Sequence, residues 1–267
     1  MKGIDISNHN GNIDFNKVKN EGVEVIYIKA TEGTTYRDAY LDKHYNGAKE
    51  AGLKTGFYHF LVGSSDPETQ AENFYNNIKD KQNDLKPCLD VEINNFHVMD
   101  FVLRFIKKFE SLSSLPICIY TSPYFANDNL NDSLAKYSCW IAHYGVENPM
   151  KTNIWENSYA GHQYSETGKI NGINTNVDIN NFTSDILVNT NKKYYVVTDY
   201  IKPGYRENGD INCGIDIEYV QAYFSGIRIY AKHNEKGIWF VTQYLSKEKC
   251  EELKKILGCW FYEIKEE

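Results

Sequence analysis

The sequence lacks the short motifs that mark metal and nucleotide sites. Its 7 histidines form no HExxH or HxH grouping, and its 6 cysteines are scattered without CxxC spacing. Zinc sites in proteins draw their ligands mostly from such closely spaced pairs. A glycine-rich phosphate loop is also missing from the sequence. We therefore expect no metal and no cofactor, and we expect reduced cysteines in the core.

Long apolar runs and an excess of positive charge are missing as well. No stretch reaches the roughly 18 apolar residues that a membrane span needs. The formal charge of -7 is the wrong sign for binding along a nucleic-acid backbone. The start, MKGIDISNHNG, has no basic segment followed by an apolar one, so no signal peptide is expected. These absences predict no membrane insertion, no nucleic-acid partner and a protein that begins in the cytoplasm.

The chain is instead rich in the residues that build cores. Of its 267 residues, 42% are hydrophobic and 14% aromatic, enough for one large domain or a large and a small one. Residues 192–267 hold 12 basic and 12 acidic side chains, so the excess of acid lies entirely before them. This change in charge predicts a boundary near TNKK. We assign residues 1–188 to a first domain, 189–193 to a linker and 194–267 to a second domain.

Strand and helix patterns alternate up to about residue 122. Segments of helical periodicity, such as 97–112, separate five apolar strand patterns: 3–7, 24–30, 54–61, 85–92 and 115–122. This alternation is typical of parallel strands joined by crossover helices. Three strand patterns with weak helix signals follow, at 139–145, 159–165 and 176–182. The first domain is therefore predicted to be an α/β, TIM-like barrel of the form (β/α)5β3.

The stretch LKPCLDVEIN, residues 85–94, ends an apolar strand with two acids. Because side chains alternate along a strand, Asp90 and Glu92 point to the same side. Barrel enzymes carry their working groups at the C-terminal ends of the strands. We then expect Asp5 of the first strand and Asp178 of the eighth to lie near Asp90 and Glu92, at the same open end of the barrel. Aromatic residues stand at equivalent places: Tyr58, Tyr120, Trp140 and Tyr144.

Acids surrounded by aromatic rings are typical of a cleft that cleaves sugars. The oxocarbenium-like transition state needs a proton donor and nearby negative charge, and aromatic faces pack against sugar C–H groups. A D-x-E motif alone is more often a solvated strand end or a helix cap. In a chain with 21 tyrosines, each aromatic residue is also more often a core residue. Four acids at matching strand ends favour the catalytic interpretation.

Seven motifs together resemble glycoside hydrolase family 25, the muramidases (lysozymes) that cleave the β-1,4 bond after N-acetylmuramic acid in peptidoglycan. They span about residues 1–185 in the family's order: GIDISNHNGNIDF, IKATEGTTYRD, AGLKTGFYHF, LDVE, IYTS, CWIAHYG and VDINNF. The resemblance implies a flattened barrel and makes residues 1–188 the catalytic domain. It implies that Glu92 is the general acid, Asp90 the acid beside it, and Asp5 and Asp178 the other cleft carboxylates.

The resemblance also implies which segments line the sugar cleft. These segments contain Lys29, Tyr36, Tyr58, Tyr120, Trp140 and Gln163. His162 departs from the pattern, because the family usually has Trp before Gln-Tyr-Ser.

Two adjacent carboxylates do not both ionise readily, so we assign a retained proton to Glu92 and the charge to Asp90. Attack by the substrate's own N-acetyl group and direct attack by water both remain open.

A wall hydrolase without an export signal resembles a bacteriophage endolysin. The tail is similar to wall-binding domains of clostridial phage endolysins. We therefore expect the protein in the host cytoplasm, released to the wall at lysis, with peptidoglycan and Gram-positive wall carbohydrate as partners. A bacterial autolysin of the same activity is one alternative. A non-catalytic wall-binding protein is another, although the intact set of acids argues against it.

The second domain contains an internal repeat. YYVVTDY at 194–200 recurs as IWFVTQY at 238–244, and each copy leads into a helix pattern and then a strand pattern. The order βαββαβ predicts an α+β domain with both helices on one face of a four-stranded sheet. The second helix is expected to start after Ser246 and stop at Gly258. Its apolar stripe is Cys250, Leu253, Ile256 and Leu257.

Both faces of the strand at 238–244 are apolar. Ile238 and Phe240 point to one side, Trp239 and Val241 to the other, and Trp260 with Phe261 is expected to repeat this feature in the last strand. A one-sided sheet should be apolar on one face only. Unless the linker or the barrel covers the second face, we expect it to bind a wall carbohydrate or a second copy of the domain.

Overall fold

The computed structural model describes residues 1–188, 193–201 and 217–266. The chain divides into two compact units, Met1–Val188 and Asn189–Glu267. The strands of the first unit are β1 (Lys2–Ile6), β2 (Val25–Glu32), β3 (Tyr36–Arg37), β4 (Lys54–Phe60), β5 (Cys88–Asp90), β6 (Cys118–Thr121), β7 (Ser138–Ala142), β8 (Gly161–Gly168) and β9 (Val177–Phe182). Its helices are α1 (Phe15–Asn20), α2 (Leu41–Glu50), α3 (Pro67–Ile78), α4 (Val98–Leu112) and α5 (Pro123–Asn129).

The first unit is a closed barrel. Its strands run in the order β1-β9-β8-β7-β6-β5-β4-β2, pairing of β1 with β2 closes the sheet, and β3 extends it beside β2. Only β9 runs antiparallel to both of its barrel neighbours. One α-helix lies between each of the first five barrel strands and the next barrel strand. No α-helix in the described residues lies between β7 and β8 or between β8 and β9. The predicted (β/α)5β3 barrel is confirmed.

Helix α4 shows why the helical segments form. Its apolar positions recur every three or four residues, so they share one face that packs on the barrel. The residues of that face are buried: Val98, Val102, Phe105, Ile106 and Phe109. Helix α3 packs beside it, with the rings of Phe74 and Phe109 stacked at 5.5 Å. Both helices share one buried core with outward-facing residues of the barrel strands.

The lower part of the barrel interior is filled by aromatic and small side chains. Tyr27 stacks on Trp140 with ring centroids 4.7 Å apart, and Phe182 packs 5.3 Å from Trp140. Three buried free cysteines, Cys88, Cys118 and Cys139, lie on neighbouring strands. Cys250 is buried too, whereas Cys259 is exposed and Cys213 lies outside the described residues. The expectation of core thiols is therefore wrong for Cys259.

The second unit has the predicted order of elements. It consists of β10 (Tyr194–Thr198), α6 (Ile217–Ala222), β11 (Ile229–Asn234), β12 (Gly237–Thr242), α7 (Lys247–Leu257) and β13 (Phe261–Glu266). The four strands form an antiparallel sheet in the order β11-β12-β10-β13. Residues from both helices and from one face of the sheet form a single core that includes Val196, Val220, Phe240 and Leu253. The βαββαβ prediction is confirmed.

The ends of α7 follow its sequence signals, but two nearby side chains do not. The Ser246 hydroxyl accepts a hydrogen bond from the backbone N–H of Lys249, and Gly258 ends the helix with φ of 52°. Ile256 is 48% exposed, so it does not belong to the buried stripe. Trp260 lies in a short 3-10 turn before β13 and packs on Tyr219 of α6 at 6.0 Å and on the adjacent Tyr223 at 4.9 Å. It therefore covers α6 and adds nothing to the outer face of the sheet.

No helix in the described part of the chain is long and apolar enough to cross a membrane.

Candidate active site

One cavity of about 310 Å³ opens at the mouth of the barrel. All four predicted acids line it: Asp5, Asp90, Glu92 and Asp178. Six of the side chains expected along the cleft line it too, namely Lys29, Tyr58, Tyr120, Trp140, Tyr144 and Gln163. Tyr36 is outside this lining, on the rim. The parallel strands end at this mouth and the antiparallel β9 begins there, which is why residues so far apart in sequence meet.

Asp5 and Asp178 face each other across two strands. They are paired in the antiparallel register of β1 with β9, and their carboxyl groups are hydrogen bonded. Burial, followed by the negative charge of Asp5, raises the pKa of Asp178 to about 8. Burial also raises the pKa of Asp5, but hydrogen bonds from neighbouring amides oppose that change. The raised pKa values of both groups mean that the pair resists full ionisation near neutral pH.

A network of hydrogen bonds holds Asp5 in place. Its Oδ2 accepts from Gln163 Nε2 and from Asn180 Nδ2, both at 2.8 Å. Gln163 is oriented in turn by the hydroxyls of Tyr120 and Tyr144, which each donate to its Oε1 at 2.8 Å. The Trp140 indole N–H donates to Asn180 Oδ1 at 2.8 Å. In each side-chain amide the oxygen accepts a hydrogen bond, which fixes the orientation of the group so that its N–H₂ points at the Asp5 carboxylate.

Asp90 lies deeper in the cleft than Glu92. Only 7% of Asp90 is exposed, and its Oδ1 has no hydrogen-bond partner among the described residues. Burial and then the charge of Glu92 raise the pKa of Asp90 well above its ordinary value. Glu92 is exposed beyond the end of β5, and the cleft walls raise its pKa less strongly. Both carboxyl groups therefore hold a proton to higher pH than isolated side chains would, and the assignment of the proton to Glu92 stays a prediction.

Lys29 brings positive charge to this acidic cleft. Its Nζ lies 2.7 Å from Glu32 Oε2 and 5.2 Å from the centroid of the Phe60 ring. The charge of Lys29 lowers the pKa of both Asp90 and Glu92. Tyr36 is 42% exposed, with its ring centroid 5.6 Å from the same Nζ. Tyr36 does not line the cavity itself, but its ring lies next to the ammonium group of Lys29, which does.

The aromatic residues of the cleft divide into floor and wall. Trp140 is 2% exposed and Tyr120 is 8% exposed, and both use their polar atoms in the network around Asp5. Their rings are packed inside the barrel, which leaves little surface for a sugar. Tyr144 is 42% exposed and Tyr58 is half-buried, so these rings offer faces to the cavity. Tyr58 and Tyr144 thus present more ring surface to the cavity than Trp140 and Tyr120, whose polar atoms hold the network around Asp5.

The cavity also contains residues that the sequence analysis did not select. These are Ser7, His9, Phe60 and Glu166 in the lining, and Asn180 beneath it. Residues two positions apart on a strand face the same side. This spacing could have identified Phe60, two residues after Tyr58, and Asn180, two residues after Asp178. His162 points away from the cavity: it is buried, and its Nε2 lies 2.8 Å from the carbonyl of His143. The side chain at this unusual position is therefore not part of the cavity lining.

Comparisons with known proteins agree with this geometry. Residues 4–173 match the sequence profile of the Glycosyl hydrolases family 25. The chain is 46% identical over 191 residues to the autolytic lysozyme of Clostridium acetobutylicum, covering 70% of this chain and 57% of that protein. It is 32% identical over 199 residues to lysozyme M1 of Streptomyces globisporus, covering 68% and 67%.

Solved structures show the same barrel. The bacterial lysozyme of Streptomyces coelicolor superposes with a TM-score of 0.64 at 30% identity, over 71% of this chain and 95% of that one. The CTP1L endolysin superposes with a TM-score of 0.61 at 31% identity, over 69% and 67%. In both, the match covers about the share of this chain that the barrel occupies. The chain belongs to glycosyl hydrolase family 25, and its barrel is a glycoside hydrolase domain.

Proposed function

We propose that this protein is a muramidase that hydrolyses the β-1,4 bond between N-acetylmuramic acid and N-acetylglucosamine in peptidoglycan. The observation that carries the proposal is the set of four carboxyl groups at one barrel mouth, each with a raised pKa. A glycosidase needs a carboxyl group that remains protonated near neutral pH, beside others that bear charge. Membership of the family supports the same reaction.

The bond specificity can be tested on purified peptidoglycan. Digestion should create new reducing ends on N-acetylmuramic acid, which borohydride converts to muramitol in the released fragments. Mass spectrometry of the reduced fragments identifies this product. Reduced N-acetylglucosamine in its place would show a different glycosidase, and fragments with no new reducing ends would contradict the proposal altogether.

In the proposed mechanism Glu92 is the general acid. Its side chain is exposed in the open cavity, where it can reach a bound glycosidic oxygen, whereas Asp90 lies on the floor. A sugar chain that covers Glu92 removes it from water, which raises its pKa and draws the proton shared with Asp90 towards it. Asp90 then carries the charge that stabilises the transition state. Asp5 and Asp178 orient the group that attacks the sugar.

The biological role that we propose is that of a phage endolysin, held in the host cytoplasm and released to the wall at lysis. Similarity to the CTP1L endolysin supports this role. A bacterial autolysin is the second candidate, because the similarity to an autolytic lysozyme is also strong. The chain spans only 57% of the length of that autolytic relative. Fractionation of producing cells tests the choice: an endolysin stays cytoplasmic until the membrane is opened, whereas an autolysin reaches the wall of intact cells.

We further propose a division of labour between the two domains. Residues 1–188 carry catalysis, 189–193 form the linker, and 194–267 bind Gram-positive wall carbohydrate. All of the described residues that line the active-site cavity belong to the first unit, which supports this division. A second domain that binds the insoluble substrate increases the local concentration of the enzyme at its target.

A fragment of residues 1–188 is expected to fold alone and remain active on short, soluble peptidoglycan fragments. The reason is that β1 to β9 close the barrel without help from the second unit. Lysis of whole walls should fall by about tenfold or more, because the second binding site is lost. Circular dichroism and the two assays, compared with the full chain, test this. An insoluble fragment, or one equally lytic on walls, would contradict the boundary or the targeting role.

Asn180→Ala is expected to lower kcat by about 10–100-fold, the value of a lost hydrogen bond to a charged group. Without this donor the pKa of Asp5 rises, so the pH profile should move upwards while KM changes little. Asn181→Ala is the matched control, because Asn181 is the next residue and exposed. Assays on soluble fragments across pH measure both effects. An unchanged pH profile for Asn180→Ala would show that Asn180 only packs.

A further inference from the structure

The outer face of the second unit's sheet carries aromatic and basic side chains. We call this surface the aromatic face and define it by Tyr195, Tyr230, Lys232, Trp239, Tyr244 and Lys265. These residues line a concave region of about 550 Å³, within the size range of ligand sites in proteins. Its lining, as far as the structure describes it, belongs to the second unit.

The alternation of the strands creates this face. On β10, Val196 points into the core beneath the helices, while Tyr195 points to the opposite side. On β12, Phe240 is in the core and Trp239 is outside it. Since both helices cover the same side of the sheet, no helix within the described part of the second unit covers the aromatic face. A one-sided sheet without a ligand would carry polar residues there.

The rings of the aromatic face support one another. Tyr195 and Tyr244 meet edge to face at 6.0 Å, and Trp239 meets Tyr200 in the same way at 5.5 Å. Tyr230 is 46% exposed and Tyr244 is 51% exposed. Rings with few rotatable bonds, held by their neighbours, lose little entropy when they bind. Their flat apolar surfaces suit the C–H faces of sugar rings.

The charges on this face have mainly one sign. Lys232 is exposed and has no carboxylate in ion-pair contact among the described residues. Lys265 Nζ lies 3.2 Å from Glu263 Oε1, and Lys193 Nζ lies 4.9 Å from the centroid of the Tyr244 ring. Three lysines against one glutamate leave the face positive. An anionic ligand therefore complements it.

Charge also decides between the two occupants that the sequence left open. A second copy of the domain, packed face to face, would bring two positive surfaces together and oppose its own association. A wall polymer that carries sugars together with phosphate or carboxylate groups matches both the rings and the lysines. We propose that the aromatic face binds an anionic glycopolymer of the bacterial wall, with sugar rings on Trp239 and Tyr195 and anionic groups at Lys232 and Lys265. This inference rests on the proposed wall-lytic function.

The test uses the full chain in co-sedimentation with walls that the protein lyses. One batch of walls is left intact, and another is stripped of phosphate-linked polymers with hydrofluoric acid. Trp239→Ala and Lys232→Glu are each expected to weaken binding to intact walls by about tenfold or more. The wild type should bind stripped walls as weakly as the variants bind intact walls. Binding to intact walls should also fall with added salt.

Two variants of the same domain are matched controls. Tyr262→Ala removes a ring that is 63% exposed but outside the aromatic face, and Lys236→Glu makes the same charge change in the turn between β11 and β12. Both should bind walls like the wild type. Circular dichroism checks that every variant folds. If Lys232→Glu fails that check, Trp239→Ala and the stripped walls still decide the outcome.

Three results would overturn the inference. Undiminished wall binding by Trp239→Ala and Lys232→Glu would remove the aromatic face from recognition. Full binding to stripped walls would show a neutral ligand, such as the glycan strand itself. A wild type that scatters light as a dimer, and a monomeric Trp239→Ala, would show that a second copy occupies the face.

Hydrolysis of short, soluble peptidoglycan fragments separates this inference from the proposed function. All of these variants should cleave soluble fragments at the wild-type rate, because the substitutions lie outside the barrel. Wild-type protein that binds walls but cleaves nothing would contradict the proposed function alone. Wild-type protein that cleaves soluble fragments, with wall binding insensitive to the aromatic face, would contradict the inference alone.

Discussion

Glu92→Gln is expected to reduce hydrolysis of peptidoglycan by about 10²–10⁴-fold, the usual contribution of a general acid. The amide keeps the size of the side chain but has no proton to donate to the leaving oxygen. Because Glu92 is exposed, the change should leave folding and wall binding intact. Turbidity of wall suspensions and new reducing ends measure activity, while thermal unfolding and co-sedimentation measure the other two properties.

Glu166→Gln is the control for this prediction. Glu166 is a second glutamate in the lining of the same cavity, so its replacement by glutamine also removes one negative charge from the cleft. We expect a much smaller loss than for Glu92→Gln, because Glu166 has no assigned part in proton transfer. Activity of Glu92→Gln within about tenfold of the wild type would show that another group donates the proton.

Asp90→Asn is expected to abolish most activity and, at the same time, to stabilise the fold. The loss follows from removing the charge that faces the transition state. The gain follows from the raised pKa of Asp90, since a buried carboxylate beside Glu92 costs free energy that a neutral amide does not. We expect a gain of about 0.5–2 kcal/mol, the usual size of a single stabilising substitution. This corresponds to a few degrees in Tm for a domain of this size.

The dependence of this gain on pH has a definite sign. The ordinary pKa of Asp90 is 3.8, and in the folded protein it is raised well above that value. Below 3.8 the carboxyl group is neutral in both states, so ionisation costs no stability there. As pH rises, the unfolded state ionises first, and the folded wild type loses stability until the raised pKa is passed. Asparagine does not ionise, so the variant does not lose this stability as the pH rises.

Thermal unfolding of wild type and Asp90→Asn at pH 3 and pH 8 tests this linkage. The gap in Tm should be larger at pH 8. A gap that is the same at both values would contradict the raised pKa. Wild-type activity in Asp90→Asn would limit Asp90 to a structural part in the cleft.

Local pattern was sufficient for most of the fold. Apolar strands and helical stripes repeat with different periods, so the βα units and the later strands could be recognised residue by residue. The rule that working groups gather at the C-terminal ends of barrel strands then brought Asp5, Asp90, Glu92 and Asp178 into one cavity. In the second unit, the repeated strand pattern and the signals at Ser246 and Gly258 were enough to predict the order of elements.

The depth of each side chain could not be predicted in this way. Trp140 and Tyr120 line the cavity as expected, but both are buried and their polar atoms are hydrogen bonded, which the sequence did not indicate. Trp260 was placed on a strand face and lies instead in a turn against α6. Period and spacing tell which side of a strand a residue faces. How much of that side is covered depends on elements far away in the sequence.

The sequence by itself determined the order of the elements, because that order depends on local periodicity, and it named four acids that line one cavity in the structure. Tertiary structure alone decided how those acids share protons. The register of β1 with β9 joins Asp5 to Asp178, and the amides of Gln163 and Asn180 fix Asp5. The burial of Asp90 and the charge of Glu92 beside it raise the pKa of Asp90. Protonation depends on desolvation and on distances between charges, and both exist only after distant strands have come together.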